Sequence, residues 1–353
     1  MAHVIPAILA GFLLTGLIAA TAFAAPFREI KDIYVWCSSG LTCNLTMEPK
    51  QSNGLSTLQI ERRSGTYDGP TISFGSYPKL AENSILSFEV DGSDIFTKSI
   101  DELRFNEPRG EYTLTEPDDV AILLDAMKNG SVVGIQVNNG SSTTTTDYSL
   151  SGVVAGLIFI DEAQNRLDQS NALHVKGDLE PRMPNVLSVA ALEELPLSLH
   201  RWFDGENSPC SFYSNSNRLT YGDGFVINSP YGALYVLPCG DGGAYNQPYA
   251  LFYLSSSEDA FAERVSLPSV ADTGPTVQTD AWNVSWDNKT RELSAFFKGR
   301  GLGDCGVSNI WAMPDRERVD LFVLKEIRSR PDCDGDAAGG IDNWPLVWPT
   351  AKN

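Results

Sequence analysis

Three sets of side chains in this sequence have the types and spacing to do chemistry: six cysteine sulfurs, a basic glycine-rich loop and a short run of alternating aspartates. The cysteines are Cys37, Cys43, Cys210, Cys239, Cys305 and Cys333. Thiolates are nucleophiles and metal ligands, and paired cysteines are cross-links. An even count in an oxidising compartment reads as three disulfides, with sequential pairing favoured. Cys37 and Cys43 bracket the turn sequence Ser38-Ser-Gly-Leu-Thr42, and Cys210 with Cys239 and Cys305 with Cys333 close loops of similar size. Zinc is the rival use of the sulfurs, but no C-x-x-C pair occurs and His174 and His200 lie far from the cysteines in sequence.

The loop Lys298-Gly-Arg-Gly-Leu-Gly-Asp-Cys-Gly306 places Lys298 and Arg300 beside glycines and Asp304 in an otherwise acidic chain. A guanidinium so placed suits an anionic ligand or a partner's carboxylate, and an exposed turn is the plainer reading. Gly301 to Gly306 has G-x-G-x-x-G spacing, yet Val307-Ser-Asn-Ile-Trp311 reads as a strand where a dinucleotide site needs a helix, so no cofactor is expected. Gly303-Asp-Cys-Gly306 also resembles the nucleophile loop of chymotrypsin-like cysteine proteases. That chemistry requires a free Cys305 thiolate and a base, His200 or His174, held by a carboxylate, and it leaves an odd cysteine count. Asp332, Asp334 and Asp336 alternate like the start of a calcium loop. Ala337 stands where glycine is expected and Asn343 at the twelfth position, so a solvated acidic loop is the default. Tyr245, Asn246, Trp311, Trp344 and Trp348 are the aromatics and amide of a possible glycan or peptide platform, weighed against core and rim packing. The adjacent acids Asp118-Asp119, Asp161-Glu162 and Glu193-Glu194 need not face each other and make no general acid–base pair.

The elements that must position these residues are mostly short β-rich runs. Leu58-Gln-Ile-Glu61, Thr71-Ile-Ser-Phe74 and Ile85-Leu-Ser-Phe-Glu-Val90 read as strands, the last followed by the hairpin signal Asp91-Gly92. Thr115-Glu-Pro-Asp-Asp119 predicts a helix with a hydroxyl cap, whose face is Val120, Leu123, Leu124 and Met127 and whose end is Asn129-Gly130. Ser131 to Val137 and Val153 to Ile160 read as buried strands joined by the polar tract Asn138 to Thr146, a mobile hairpin tip. Lys176 to Pro184 combines charge with two prolines, as a linker does, and Asn185 to Leu195 reads as a short capped helix. Beyond it Gly232 to Leu237, Ala250 to Leu254, Leu293 to Phe297 and Val319 to Leu324 read as strands. No repeat of fixed period occurs.

With 353 residues the chain suits two domains, and 26 basic against 45 acidic residues give a net charge of −19, which disfavours nucleic acid and anionic lipid surfaces. Residues 1–24 read as a cleaved signal peptide: an apolar stretch from Ala7 to Ala20, then small residues fitting cleavage after Ala24, with an uncleaved anchor as the alternative. No other apolar run approaches the length of a membrane span.

The second half, with Leu237-Pro-Cys-Gly-Asp-Gly-Gly-Ala-Tyr-Asn246, the glycine loop from Phe297 to Gly306, and Trp344-Pro-Leu-Val-Trp348, resembles the exported proteobacterial family catalogued as domain of unknown function number 1176. The first half is similar to invasion-associated locus B proteins through Trp36-Cys37, Val90-Asp-Gly92, Met127-Lys-Asn-Gly130 and Tyr148-Ser-Leu-Ser-Gly-Val153. The resemblance implies a periplasmic location, an all-β build, paired cysteines and no catalytic residues to carry over. The acidic segment from Asp332 to Asp342 departs from the family pattern. The expectation is an all-β, mainly antiparallel chain of two sandwich- or open-barrel-like domains: 25–175 with one packed helix, a linker with a short helix at 176–196, and 197–353. The expected function is non-catalytic binding or envelope-associated interaction with a protein or glycan, the alternative a hydrolase acting on an envelope polymer.

Overall fold

Alternating burial builds the first half. In the strands Ile33–Cys37 (burial alternating at every residue) and Leu55–Arg62, the residues Ile33, Val35, Leu58 and Ile60 turn inward while their neighbours face out. The computed structural model describes residues 27–51, 54–205, 207–210, 219, 223–257 and 260–350. The signal-peptide reading of residues 1–24 lies outside the described residues.

A seven-stranded antiparallel sheet runs in the order Phe27–Ile30, Ile33–Cys37, Cys43–Met47, Leu55–Arg62, Pro70–Ser76, Glu111–Leu114 and Arg104–Asn106. Its core face packs on a four-stranded sheet, Thr143–Ser149, Val132–Asn138, Ile85–Val90 and Ser93–Ser99, with Phe74 and Phe88 meeting edge-on across the layer. Asp91 and Gly92, both at positive φ, form the expected hairpin turn.

Helix α1 spans Pro117–Asn129 and buries Val120, Leu123, Leu124 and Met127, as its apolar spacing predicts. Its N-cap is Glu116, not Thr115, and the cap makes no side-chain hydrogen bond; Pro117, Asp118 and Asp119 open the helix instead. A second helix corrects the expectation of one. Val153–Ala163, read above as a strand, is helix α2. A short run that is apolar throughout has no periodicity to separate helix from strand. Here Gly152 turns the chain at φ +106°, and Gly156 lies so close to Ile33 and Leu45 that a β-carbon would sit 2.6 Å from each. The tract before it is the tip of a hairpin and the start of its second strand: Thr143–Ser149 is strand, and the Asn139 side chain accepts the amides of Ser141 and Ser142 across a tight turn.

In the second half a sheet runs Val186–Val189, Gly224–Ser229, Gly232–Pro238, Pro248–Ser255 and Glu263–Arg264, with Asp280–Trp282 also on Pro248–Ser255. Both faces of this sheet are covered, so Pro248–Ser255 begins with five consecutive buried residues. Phe225, Leu234 and Leu251 face one side and meet Leu293 and Trp311; Val226, Ala250 and Phe252 face the other and meet helix α3 (Leu197–Phe203). The opposing antiparallel sheet is Ser285–Asp287, Glu292–Lys298, Gly306–Ala312, Val323–Arg330 and Leu346–Trp348. Two expectations fail here. The predicted helix at Asn185 to Leu195 is the edge strand Val186–Val189 followed by a single 3-10 turn, Leu192–Glu194, because those residues complete the ladder of Gly224–Ser229. The strand read at Val319 starts at Val323, with Val319 and Phe322 buried ahead of it.

The halves meet at the hairpin closed by the Cys37–Cys43 disulfide. Its tip enters the second half: Leu41 packs on the second-half core, the Trp286 amide donates to Ser39 Oγ at 3.1 Å, and Gly40 lies against Ser188 and Phe225 where no β-carbon fits. Beside it the Arg63 guanidinium binds Glu194 through two nitrogens at 2.8 and 2.9 Å, and the Ser188 amide donates to Ser64 Oγ at 3.0 Å. Burial opposes ionisation of Glu194, but Arg63 and the Ala190 amide hold its carboxyl below the usual glutamate range. A depressed carboxylate pKa adds stability above its unfolded value, and that stability is lost as pH falls through the folded one. Wild type should therefore exceed Glu194→Gln in stability at neutral pH by about 1 kcal/mol at most, both side chains being about one-third exposed, and the difference should vanish in acid. Thermal unfolding of both proteins across pH 3 to 7 checks this; a difference that grows in acid contradicts it.

Candidate functional site

The glycine loop joins two strands in register, Lys298 opposite Gly306. The turn closes on itself: the Gly299 amide donates to Cys305 O at 2.9 Å and the Gly303 amide to Arg300 O at 3.0 Å. Gly306 sits at φ +141°, where a β-carbon would lie 2.0 Å from Phe297 O, so only glycine fits. Gly299 leaves room for the Cys305 sulfur, and Cys305 is bonded to Cys333.

Asp304 governs the loop's electrostatics. It is buried, and Arg300 donates Nε to Oδ1 at 2.8 Å and Nη2 to Oδ2 at 2.5 Å in a two-pronged pair. The Gly335 amide adds a third hydrogen bond at 2.7 Å. Arg300, and after it the Gly335 amide, hold the Asp304 carboxyl far below the ordinary carboxylate range although burial works the other way. The arginine proposed as a receptor for an outside anion is thus engaged by Asp304 of its own loop, and Asp304 in turn ties that loop to the segment carrying Cys333.

Lys298 and Asn246 also meet, through the main chain: Asn246 Nδ2 donates to Lys298 O at 2.8 Å and accepts the Lys298 amide on Oδ1 at 3.0 Å. Asn283 completes this clamp by donating Nδ2 to Asn246 Oδ1 and to Phe296 O, both at 2.8 Å. Sequence reading missed Asn283. Its only local signal is a positive φ of 47°, a conformation asparagine tolerates better than most residues but one that a sequence does not print. Tyr245 lies against Gly301 and is 41% exposed. Trp311 is not part of any platform: it is 0% exposed and its Nε1 donates to Pro268 O at 2.7 Å. Trp344 is likewise buried, edge-on to Phe296.

The aspartate run is a set of turn acceptors. Asp334 binds Arg330 with both oxygens at 2.9 Å and accepts the Asp336 amide, and Asp336 accepts the amide of Ala338. Among the described residues no three His, Cys, Asp or Glu side chains converge as metal ligands. The Cys305 sulfur lies in a disulfide and offers no thiolate; Cys210 pairs with Cys239. His200 Nε2 lies 3.1 Å from Leu195 O, and the His174 amide donates to Asp161. No helix among the described residues is long and apolar enough to cross a membrane.

Residues 27–351 match the family described as protein of unknown function, DUF1176. The chain belongs to that family. It is 26% identical to the uncharacterized protein YpfG of Escherichia coli (strain K12) over 354 aligned residues, 93% of this chain and 94% of that protein. Among solved structures it is similar to invasion associated protein b from Bartonella henselae, at 10% identity and a TM-score of 0.32, covering 40% of this chain and 99% of that one.

Gly306→Ala should cost at least about 2 kcal/mol, since it places a β-carbon on Phe297 O and forces an unfavourable backbone region. The denaturant midpoint of the unreduced protein reads this out. A midpoint equal to wild type would show that the loop relaxes without loss.

Proposed function

We propose that the protein is exported through a cleaved signal peptide and acts in the periplasm as a non-catalytic, envelope-associated interaction module. In this reading its two β-rich domains, 25–175 and 197–353, are joined by the segment 176–196, and the glycine loop meets a protein partner of the envelope. Three disulfides fit an oxidising compartment.

One observation carries the reading. The loop's reactive groups are engaged within the protein, Arg300 paired with Asp304 and Cys305 bonded to Cys333, while Leu302 stands 76% exposed at the tip with Tyr245 beside the turn. A rigid backbone that spends its charges internally and presents an aliphatic tip and a tyrosine suits contact with a partner. It loses little conformational entropy on binding. Hydrolysis by Cys305 is disfavoured because the nucleophile's sulfur is already bonded.

A photo-crosslinking amino acid at position 302, expressed in cells of a host that carries the family, should give one discrete adduct with an envelope protein. The same group at Tyr231, exposed on another hairpin, should not. No adduct at 302, or the same adducts at both positions, would contradict the reading.

A further inference from the structure

The three disulfides differ in how open they are to a reductant. Cys37 and Cys43 are both 0% exposed, and Cys210 and Cys239 are buried as well. In the third bond Cys305 is 0% exposed, but Cys333 lies on the surface within the exposed run 331–337. Thiol–disulfide exchange requires a thiolate to reach one sulfur, so access decides which bond reacts first. Here the approach is to Cys333, with Cys305 as the leaving group on the buried side.

The bond closes a segment that holds itself weakly. Residues 331–343 follow the strand Val323–Arg330 and are irregular apart from the 3-10 turn Ile341–Asn343. Inside the segment, hydrogen bonds run between near neighbours: the Asp336 amide to Asp334, the Ala338 amide to Asp336 and the Gly340 amide to Ala337 O. Its ties to the glycine turn leave two adjacent residues, Cys305 through sulfur and Asp304 through the Gly335 amide. Once the sulfur bond is broken, the Gly335–Asp304 hydrogen bond is left to oppose the chain entropy that the closed loop suppressed.

Trp344 lies against this segment. It is 2% exposed, its ring is edge-on to Phe296, and its Nε1 donates to Ala337 O at 3.3 Å. The Phe296 ring lies in turn against Gly303 of the glycine turn. Turn, segment and Trp344 thus form one packed unit with Cys305–Cys333 as its covalent closure.

From this arrangement we infer that Cys305–Cys333 is a redox latch: a dithiol reductant opens it selectively, freeing the segment 331–343 from the glycine turn and uncovering Trp344, while the other two disulfides stay closed. One thiolate of the reductant attacks Cys333 Sγ. The S–S bond breaks, and its electron pair leaves with Cys305 Sγ, which takes up a proton. The reductant's second thiolate then displaces Cys333 Sγ from the mixed disulfide, and that sulfur is protonated in turn. Two electrons pass from the dithiol to the protein, and the reductant ends as its own disulfide. The turn that carries Leu302 loosens with the latch, yet the opening is a property of the fold and does not rest on a partner being bound there.

Dithiothreitol acting on the purified, folded protein tests it, with samples quenched at intervals by N-ethylmaleimide in denaturant and mapped by peptide mass spectrometry. The expected result is labelling of Cys305 and Cys333 together, at least about tenfold faster than of the other four cysteines, with the far-ultraviolet circular dichroism unchanged. In the protein reduced at this bond alone, amide hydrogen exchange should rise across 331–343. Hydroxyl-radical footprinting should then label Trp344 more strongly while Trp311, in the core, stays protected. Equal rates at all six cysteines, earlier opening of either other disulfide, global unfolding when this bond opens, or unchanged exchange and Trp344 protection after it opens would overturn the inference.

Discussion

At the C-terminal end of α2, one side-chain amide reaches three carbonyls. Gln164 Nε2 lies 2.7 Å from Leu41 O, 3.1 Å from Arg62 O and 3.3 Å from Arg63 O, so a single residue fixes both the disulfide-closed hairpin tip and the strand end beside it. Around it Arg166 donates Nη2 to Ser64 O and Gly65 O, at 2.9 and 2.6 Å. Buried Asp161 accepts the amides of Leu173, His174 and Val175 and faces Arg62 at 3.8 Å. Burial, followed by the nearby charge of Arg166, pushes Arg62 down to about 10. Taking these charges out of water is expensive, and such a junction is better understood as fixing one arrangement than as adding net stability. What it fixes is the surface that the second half meets: the tip at Ser39 to Leu41, and the segment Arg63–Ser64 that reaches Ser188 and Glu194.

The same economy recurs at the far end of the molecule. Asp304 holds Arg300 and Gly335, Asn246 and Asn283 hold the loop's entry strand, and Cys305–Cys333 ties the turn to the segment that follows Val323–Arg330. Groups that looked reactive in sequence serve to close loops. With the thiolate consumed and the carboxylate fixed, what the loop turns to solvent is a leucine-tipped turn with Tyr245 beside it.

Much of the fold was legible in the sequence because strand alternation and hairpin chemistry are local. Ile85 to Val90 with Asp91-Gly92, and the apolar face of α1, needed no knowledge of the rest of the chain. Reading failed where burial is two-sided or pairing distant: Val153 to Ile160 is apolar throughout, and Val186–Val189 is a strand because a ladder some 40 residues away accepts it. At the candidate site, types and spacing brought out Lys298, Arg300, Asp304, Tyr245 and Asn246, which the structure gathers in one region. Spacing could not show that Trp311 is core or that Asn283 completes the clamp, since each depends on a partner remote in sequence, nor that Arg300 pairs with Asp304 four residues on.

The end of α2, through Gln164, seats the hairpin tip in the second half. Hydrogen–deuterium exchange of the unreduced Gln164→Leu protein against wild type measures it directly, peptide by peptide. Exchange should be faster both at 38–42 and at 284–287, where the Trp286 amide meets Ser39, with the strands Gly306–Ala312 and Val323–Arg330 unchanged. Wild-type exchange at both segments, or a change confined to 38–42, would contradict it.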